Sequence, residues 1–205
     1  MDITSLQNPR VKHIVKLRDD KRQRQKDGLM GIFSIPHTSL DDLKVGEVPL
    51  VIIAEAVEKP GNLGAILRTA DAAGVDAILV CDPRVDAYSP NVVRASRGTI
   101  FTVPVVETTS AQALVFLQKR SIQVLAATPS AGAEYTQQDL RTPLAIAVGT
   151  EDEGLSEFWL SQADLKVKIP MMGKVNSLNV SVSTALIVYE AVRQRSQTSA
   201  PSPPA

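Results

Sequence analysis

Three stretches of the chain concentrate residues that could do chemistry on a ligand. The first runs Glu58-Lys-Pro-Gly-Asn62-Leu-Gly-Ala-Ile-Leu-Arg68-Thr-Ala. Pro60 and Gly61 turn the chain, Asn62 is placed to cap a following helix, and Arg68 sits two turns in. Arg and Asn at one helix end suit an anionic ligand such as an RNA phosphate. A surface arginine on an amphipathic helix is the plainer alternative. The second stretch is Val148-Gly149-Thr-Glu151-Asp-Glu153-Gly154-Leu155. A buried strand ending in Gly149 lets a ligand approach the backbone closely; a simple strand–turn–helix joint, with acids near a helix start, fits as well. The third is Ile169-Pro-Met-Met-Gly173-Lys-Val-Asn176-Ser177-Leu178-Asn179-Val-Ser181-Val-Ser183-Thr184-Ala185. Ser and Asn are poor residues inside a helix. Their density suggests side chains or helix-start amides facing a ligand or another segment, with ordinary capping by Ser177 or Asn179 as the alternative.

The elements that must position these stretches alternate. Short β-branched runs predict strands at 50–54, 77–81, 102–105, 123–127, 144–148 and 166–169, and helical periods fall at 62–73, 88–96, 111–119 and 180–195. This order implies an α/β fold with a mostly parallel sheet covered by helices on both faces. The three polar stretches follow the first, fifth and sixth of these strands. Ligands of open α/β sheets bind beyond the carboxyl ends of the strands, so the three loops can share one site. Ahead of this body, Pro9 and the apolar residues Val11, Ile14, Val15 and Leu17 predict a helix that ends at Gly28. Residues 28–48 read as loop.

Composition sets the bounds. The 205 residues are 44% hydrophobic but only 4% aromatic, so the core must be built from Val, Ile, Leu and Ala. Formal net charge is zero, yet residues 1–30 hold eight Lys/Arg against four acids, a basic arm on a slightly acidic body. There is no G-x-G-x-x-G after a strand and no G-x-x-x-x-G-K-[ST]. His13 and His37 lie outside the core pattern, which argues against a histidine triad or a zinc site. The single Cys81 can form no internal disulfide. No apolar run approaches the ~20 residues that cross a bilayer, and no signal peptide opens the chain, so a cytoplasmic location is expected.

Taken together, the three stretches resemble the SpoU/TrmH family of RNA 2′-O-methyltransferases, within the SPOUT class. The family's N-x-G-x-x-x-R-T, G-x-E-x-x-G-L and I-P-M-x-G-x-x-x-S-L-N-V-S patterns occur in order at Asn62–Thr69, Gly149–Leu155 and Ile169–Ser181. The resemblance covers about residues 47–195. It implies a C-terminal deep trefoil knot whose loops bind S-adenosylmethionine, with Thr128, Gly149, Ile169, Met171, Leu178 and Asn179 as cofactor-binding positions. It implies transfer of a methyl group to a ribose 2′-hydroxyl, with Arg68 as the catalytic arginine and Asn62, Glu151, Ser177 and Asn179 as further polar positions of the active site. A guanidinium gives up its proton reluctantly, which favours Arg68 as a clamp on phosphate or developing alkoxide over a base role, though the base role stays open. No metal is required.

The resemblance also implies partners. Structured RNA is the expected substrate, ribosomal RNA ahead of transfer RNA, and the family's members are homodimers with a site shared across the interface. The opening Ile3-Thr-Ser-Leu-Gln-Asn8-Pro9-Arg-Val-Lys12 resembles the start of an RNA-binding domain of the ribosomal L30e type, of which only a remnant is expected here. The expected division is a basic helix over 1–30, a linker over 31–48, the methyltransferase domain over 49–196 and a disordered tail over 197–205. The departure at Glu58, where many relatives carry Asp, is mild. Two competing readings are a catalytically inactive module that binds cofactor and RNA, and an unrelated α/β nucleotide-binding enzyme.

Overall fold

The computed structural model describes residues 11–16, 29–33, 35 and 38–198. They belong to two units, residues 1–37 and 38–205. In the first, β1 (Val11–Lys16) pairs antiparallel with β2 (Leu29–Phe33), Ile14 lying opposite Gly31. This corrects the helix expected across 9–28 and the loop expected from 28. Val11, Ile14 and Val15 satisfy a helical spacing, but β-branched side chains lose rotamer freedom in a helix and favour a pleated pair. The rest of the expected helix lies outside the described residues.

The second unit runs β3 (Leu50–Glu55), α1 (Pro60–Ala73), β4 (Ala77–Cys81), α2 (Pro90–Ser96), β5 (Val105–Thr108), α3 (Ser110–Lys119), β6 (Gln123–Ala127), β7 (Ala133–Glu134), β8 (Leu144–Val148), α4 (Glu157–Gln162), β9 (Leu165–Lys168) and α5 (Val180–Thr198). The strands form one parallel seven-stranded sheet in the order β5-β4-β3-β8-β6-β9-β7. The central strands β3, β4 and β8 are buried at every position, the pattern of parallel strands covered on both faces. Alternation divides the core in two. Ile52, Ile78 and Ile146 face Leu63, Ile66 and Leu67 of α1 and Ile187 and Val188 of α5. Val51, Ile53 and Leu79 face Phe116 and Leu117 of α3 and Trp159 of α4.

The differences from expectation have local causes. The strand expected at 102–105 begins instead at Val105. Residues Thr99–Phe101 make a 3-10 turn, Thr102 Oγ1 donates to Asp71 at 2.6 Å, and Pro104 has no N–H to give a neighbouring strand. The six-residue α4 and two-residue β7 are too short to show a period. The linker expected over 31–48 is partly structure: β2 runs to Phe33, and Leu43 is buried against the α3 side of the sheet. The tail expected from 197 still belongs to α5 at residues 197 and 198.

Two contacts position the helices that carry the candidate site. At Gly64 an added Cβ would lie 2.4 Å from the Ala95 Cβ, so glycine is what lets α1 and α2 touch. At the far end of α5, the half-buried Arg195 donates to four carbonyls: Leu140 at 3.1 Å, Val48 at 2.9 Å, Pro49 at 3.1 Å and Thr142 at 2.7 Å. Gln194 adds a bond from the Leu140 N–H at 2.9 Å. One helix end thereby fastens the entrances of β3 and β8. Arg195→Met keeps the stem but removes the donor to all four carbonyls, of which Pro49 keeps its bond from the Leu144 N–H. It is expected to cost about 2 kcal/mol and roughly 5 °C of melting temperature in a thermal denaturation scan.

Candidate active site

The strand order reverses between β3 and β8: the chain steps outward from β3 to β4 and β5, then resumes on the far side of β8 at β6. Such a switch point opens a crevice at the carboxyl ends of the strands, and the polar stretches meet there. After β3, Ala56 takes a left-handed conformation (φ 49°) and redirects the chain into Lys59 and Pro60. Pro60 opens α1, where its missing N–H costs nothing. Asn62 therefore lies inside the first turn and does not cap the helix, contrary to expectation. Its side chain is free to turn away from the helix axis.

It turns to Glu151. Asn62 Nδ2 and Lys59 Nζ both donate to the Glu151 carboxylate. Asn179 Nδ2 donates to Glu151 Oε1 at 3.0 Å and to Asn62 Oδ1 at 3.1 Å. Asn179 also caps α5: its Oδ1 accepts from the Ser181 N–H at 3.0 Å and the Ser181 hydroxyl at 2.6 Å. Three segments remote in sequence are thus closed around one carboxylate. The hydrogen bond from Lys59 is the largest influence on that carboxyl, with Asn62 adding to it, and it lies below the usual carboxylate range. A carboxylate so held is a poor proton donor at neutral pH and a weak base, so its work here is to accept and orient.

The loop bearing Glu151 is itself pinned. Thr150 and Gly154 exchange backbone hydrogen bonds at 3.0 and 3.1 Å. A Cβ at Gly149 would stand 2.0 Å from the Gly154 carbonyl oxygen. The loop folding back on the strand end therefore requires glycine at 149, a reason additional to the close ligand approach read from the sequence. Beyond the loop, the buried Glu55 at the end of β3 accepts from the Ser156 N–H at 2.8 Å and its hydroxyl at 2.5 Å.

A cleft of about 500 Å³ opens beside this cluster, at the carboxyl ends of β6, β8 and β9. Its walls are largely apolar, among them Val148, Leu155 and Val167. Of the positions expected to bind cofactor, Thr128, Gly149, Ile169, Met171 and Leu178 line it, and so does Ser177. A smaller cavity of about 100 Å³ adjoins it, lined by Lys59, Asn62 and Arg84 and sharing residues 149–153 with the cleft. Glu151 faces both. Asn179 stands in the cluster between them, outside both linings.

Arg68 is the exception. It is exposed on α1, six residues and about 120° round the helix from Asn62, and it lines neither cavity. Sequence reasoning passed over Lys59, Ser181 and Glu55. Lys59 lay in the quoted first stretch without a role, and Glu55 closes an apolar run whose partner is 101 residues away. Among the described residues no group of His, Cys, Asp and Glu could hold a metal ion.

Two variants test this geometry. In Lys59→Met the Glu151 carboxyl loses its main stabiliser and is expected to titrate at higher pH, as read by NMR of the carboxyl carbon. The sign follows from the depressed value: the pair is intact at neutral pH and lost as pH falls through it. Gly149→Ala is expected to lose about 2 kcal/mol in denaturant unfolding, because backbone must move to admit the methyl.

Residues 49–189 match the model of the SpoU rRNA Methylase family. A curated relative, the 23S rRNA (guanosine-2′-O-)-methyltransferase RlmB of Pseudomonas putida, is 41% identical over 148 residues, covering 72% of this chain and 60% of the relative. The chain thus spans about three fifths of the length of the first curated relatives it matches. Among solved structures, the SpoU methyltransferase AviRb from Streptomyces viridochromogenes superposes with a TM-score of 0.81 at 30% identity, covering 84% of this chain and 70% of that one. A second AviRb structure is a complex with the cofactor AdoMet, at TM-score 0.80. A structure described by 2-OH methylation of C/U34 on tRNA superposes at TM-score 0.68 and 29% identity, over 74% of this chain and 99% of that one. By its sequence, its parallel sheet and its strand-end loops, the chain belongs to the SpoU methylase family.

Proposed function

We propose that this protein methylates a ribose 2′-hydroxyl of RNA, with ribosomal RNA as substrate and S-adenosylmethionine as methyl donor. The observation that carries the reading is the Asn62–Glu151–Asn179 cluster at the lip of the strand-end cleft. The cleft suits the donor. Its volume falls in the range of small-molecule sites (~300–1,000 Å³), and its apolar walls fit a purine ring. The hydroxyls of Thr128 and Ser177 stand at polar positions, and the acidic turn Glu151–Glu153 complements a ligand carrying positive charge. When bound there, the donor supplies an electrophilic sulfonium methyl.

The protein's own part is placement. Glu151 holds Asn62 and Asn179 in fixed orientation beside the small cavity. Arg68 clamps an RNA phosphate or the forming alkoxide, while the hydroxyl proton leaves to phosphate or solvent. Within one chain Arg68 lines neither cavity, and that favours a homodimer in which a second copy's Arg68 completes the site. α5 offers the surface for it: Val182, Leu186 and Tyr189 are exposed at a spacing that repeats on one helix face. The knotted threading of the SPOUT class goes with the same reading. Its support is the insertion of β9 between β6 and β7, followed by the return of α5 onto the α1 side of the sheet. A cytoplasmic site of action goes with an RNA substrate.

Transfer RNA is the second reading, favoured by the 99% coverage of the tRNA-modifying structure. The decisive experiment is transfer of labelled methyl from S-adenosylmethionine to separated ribosomal and transfer RNA, with nucleosides then resolved by mass. A 2′-O-methylnucleoside in the ribosomal fraction is expected. Label in the transfer RNA fraction alone would replace the substrate, and cofactor binding without transfer would mean an inactive module. Arg68→Ala is expected to lose at least a hundredfold in turnover, with cofactor affinity held within a few-fold by equilibrium titration.

A further inference from the structure

We propose that the turn following α2 is a phosphate-binding ridge for RNA, in which Arg94 and Arg97 extend the cationic surface of Arg68. The identity of the partner rests on the RNA-methylating reading; the ridge itself rests on geometry. Two contacts fix where α1 runs along this turn. Gly64 meets Ala95 and the Ser96 backbone, with a built Cβ at 2.4 to 2.9 Å from their atoms. Asp71, two turns on, accepts from the Thr102 hydroxyl at 2.6 Å. Arg68 lies between them on the same face of α1, at the spacing i, i+4, i+7. It therefore flanks residues 97–99.

Arg68, Arg94 and Arg97 are all exposed. Lys59, Arg84, Arg141 and Arg193 are engaged by carboxylates, whereas none of these three is in an ion pair among the described residues. Arg97 is also held against its conformational preference. It takes a left-handed conformation (φ 52°, ψ 30°) as the C-cap of α2 and is followed by Gly98 at φ 94°. An L-residue other than glycine is strained there. Such strain persists only where its surroundings impose it, and the surroundings do. The buried Ser96 hydroxyl donates to Val93 O at 2.9 Å and accepts from the Gly98 N–H at 3.3 Å, while the Thr99 hydroxyl donates to Ser96 O at 2.8 Å. Arg97 thus projects from a braced turn, and a guanidinium so presented suits bidentate contact with phosphate.

Charge segregation points the same way. The cleft mouth carries Glu151, Asp152 and Glu153 in succession, which repel a polyanion. An RNA strand reaching the site has its favourable approach over the arginines.

The backbone supplies a clean test, because glycine fits the Arg97 conformation without strain. Arg97→Gly removes the charge while leaving stability unchanged or higher, and Arg94→Ala is a conservative change on an exposed helix face. The probe is deproteinised bulk ribosomal RNA in filter binding across a salt series. The double variant is expected to bind roughly tenfold more weakly, with a log–log salt slope lower by about 0.7 to 0.9 for each phosphate no longer neutralised. Cofactor affinity and melting temperature should not fall. Arg97→Lys should keep most of the slope, and Arg120→Ala at the C-cap of α3 should behave as the unaltered protein. Wild-type affinity and slope in the double variant would overturn the ridge and leave the methyltransferase reading standing. Failure of the unaltered protein to bind the RNA, with methyl transfer also absent, would overturn both.

Discussion

Burial on both faces of the sheet is the constraint from which the rest follows. β3, β4 and β8 have no solvent side, so a working polar group has a place only at their ends, as Glu55 has at the last position of β3. Polar chemistry is confined to the places where the strands stop. Because the strands are parallel, one edge of the sheet collects all their carboxyl ends. The reversal of strand order between β3 and β8 then parts the connecting loops and opens space between them. The fold creates a site before any particular residue occupies it.

What occupies it is held by mutual satisfaction. Glu151 takes hydrogen bonds from Lys59, Asn62 and Asn179, and Asn179 returns a bond to Asn62 while capping α5. Each group restrains the others, so the cluster presents one arrangement to an incoming ligand without waiting for it. Such preorganisation matters most where a reaction depends on bringing two bound molecules into line. Beneath the loop, the Glu55–Ser156 bonds and the tight approach of Gly149 to Gly154 keep the carboxylate from drifting.

Much of the body was legible because its strands are uninterrupted apolar runs bounded by Pro, Gly and charge, and parallel burial leaves little else such runs can be. Asn62, Glu151 and Asn179 were legible as chemistry through their motifs. Their convergence on one carboxylate was not, since the partners are 28 to 117 residues apart and only the sheet order brings them together. The segment Val11–Lys16 was misread because its apolar spacing serves either period and a partner strand decided between them. Gly149 was legible as a place of close approach, but its intramolecular neighbour was not: the atom that excludes a side chain is the Gly154 carbonyl oxygen. Arg97 carries no sequence signal at all, because its left-handed backbone follows from the turn that Ser96 and Thr99 brace.

The bond between Asn179 and Asn62 has a consequence for how the protein is made. The ribosome emits Asn62 well before Asn179, with most of the sheet between them. Until α5 emerges and Arg195 reaches the carbonyls at the entrances of β3 and β8, the nascent chain holds most of its core but lacks one wall of its cluster. The cluster closes only once α5 is in place, so a product that stops short of α5 lacks a formed site.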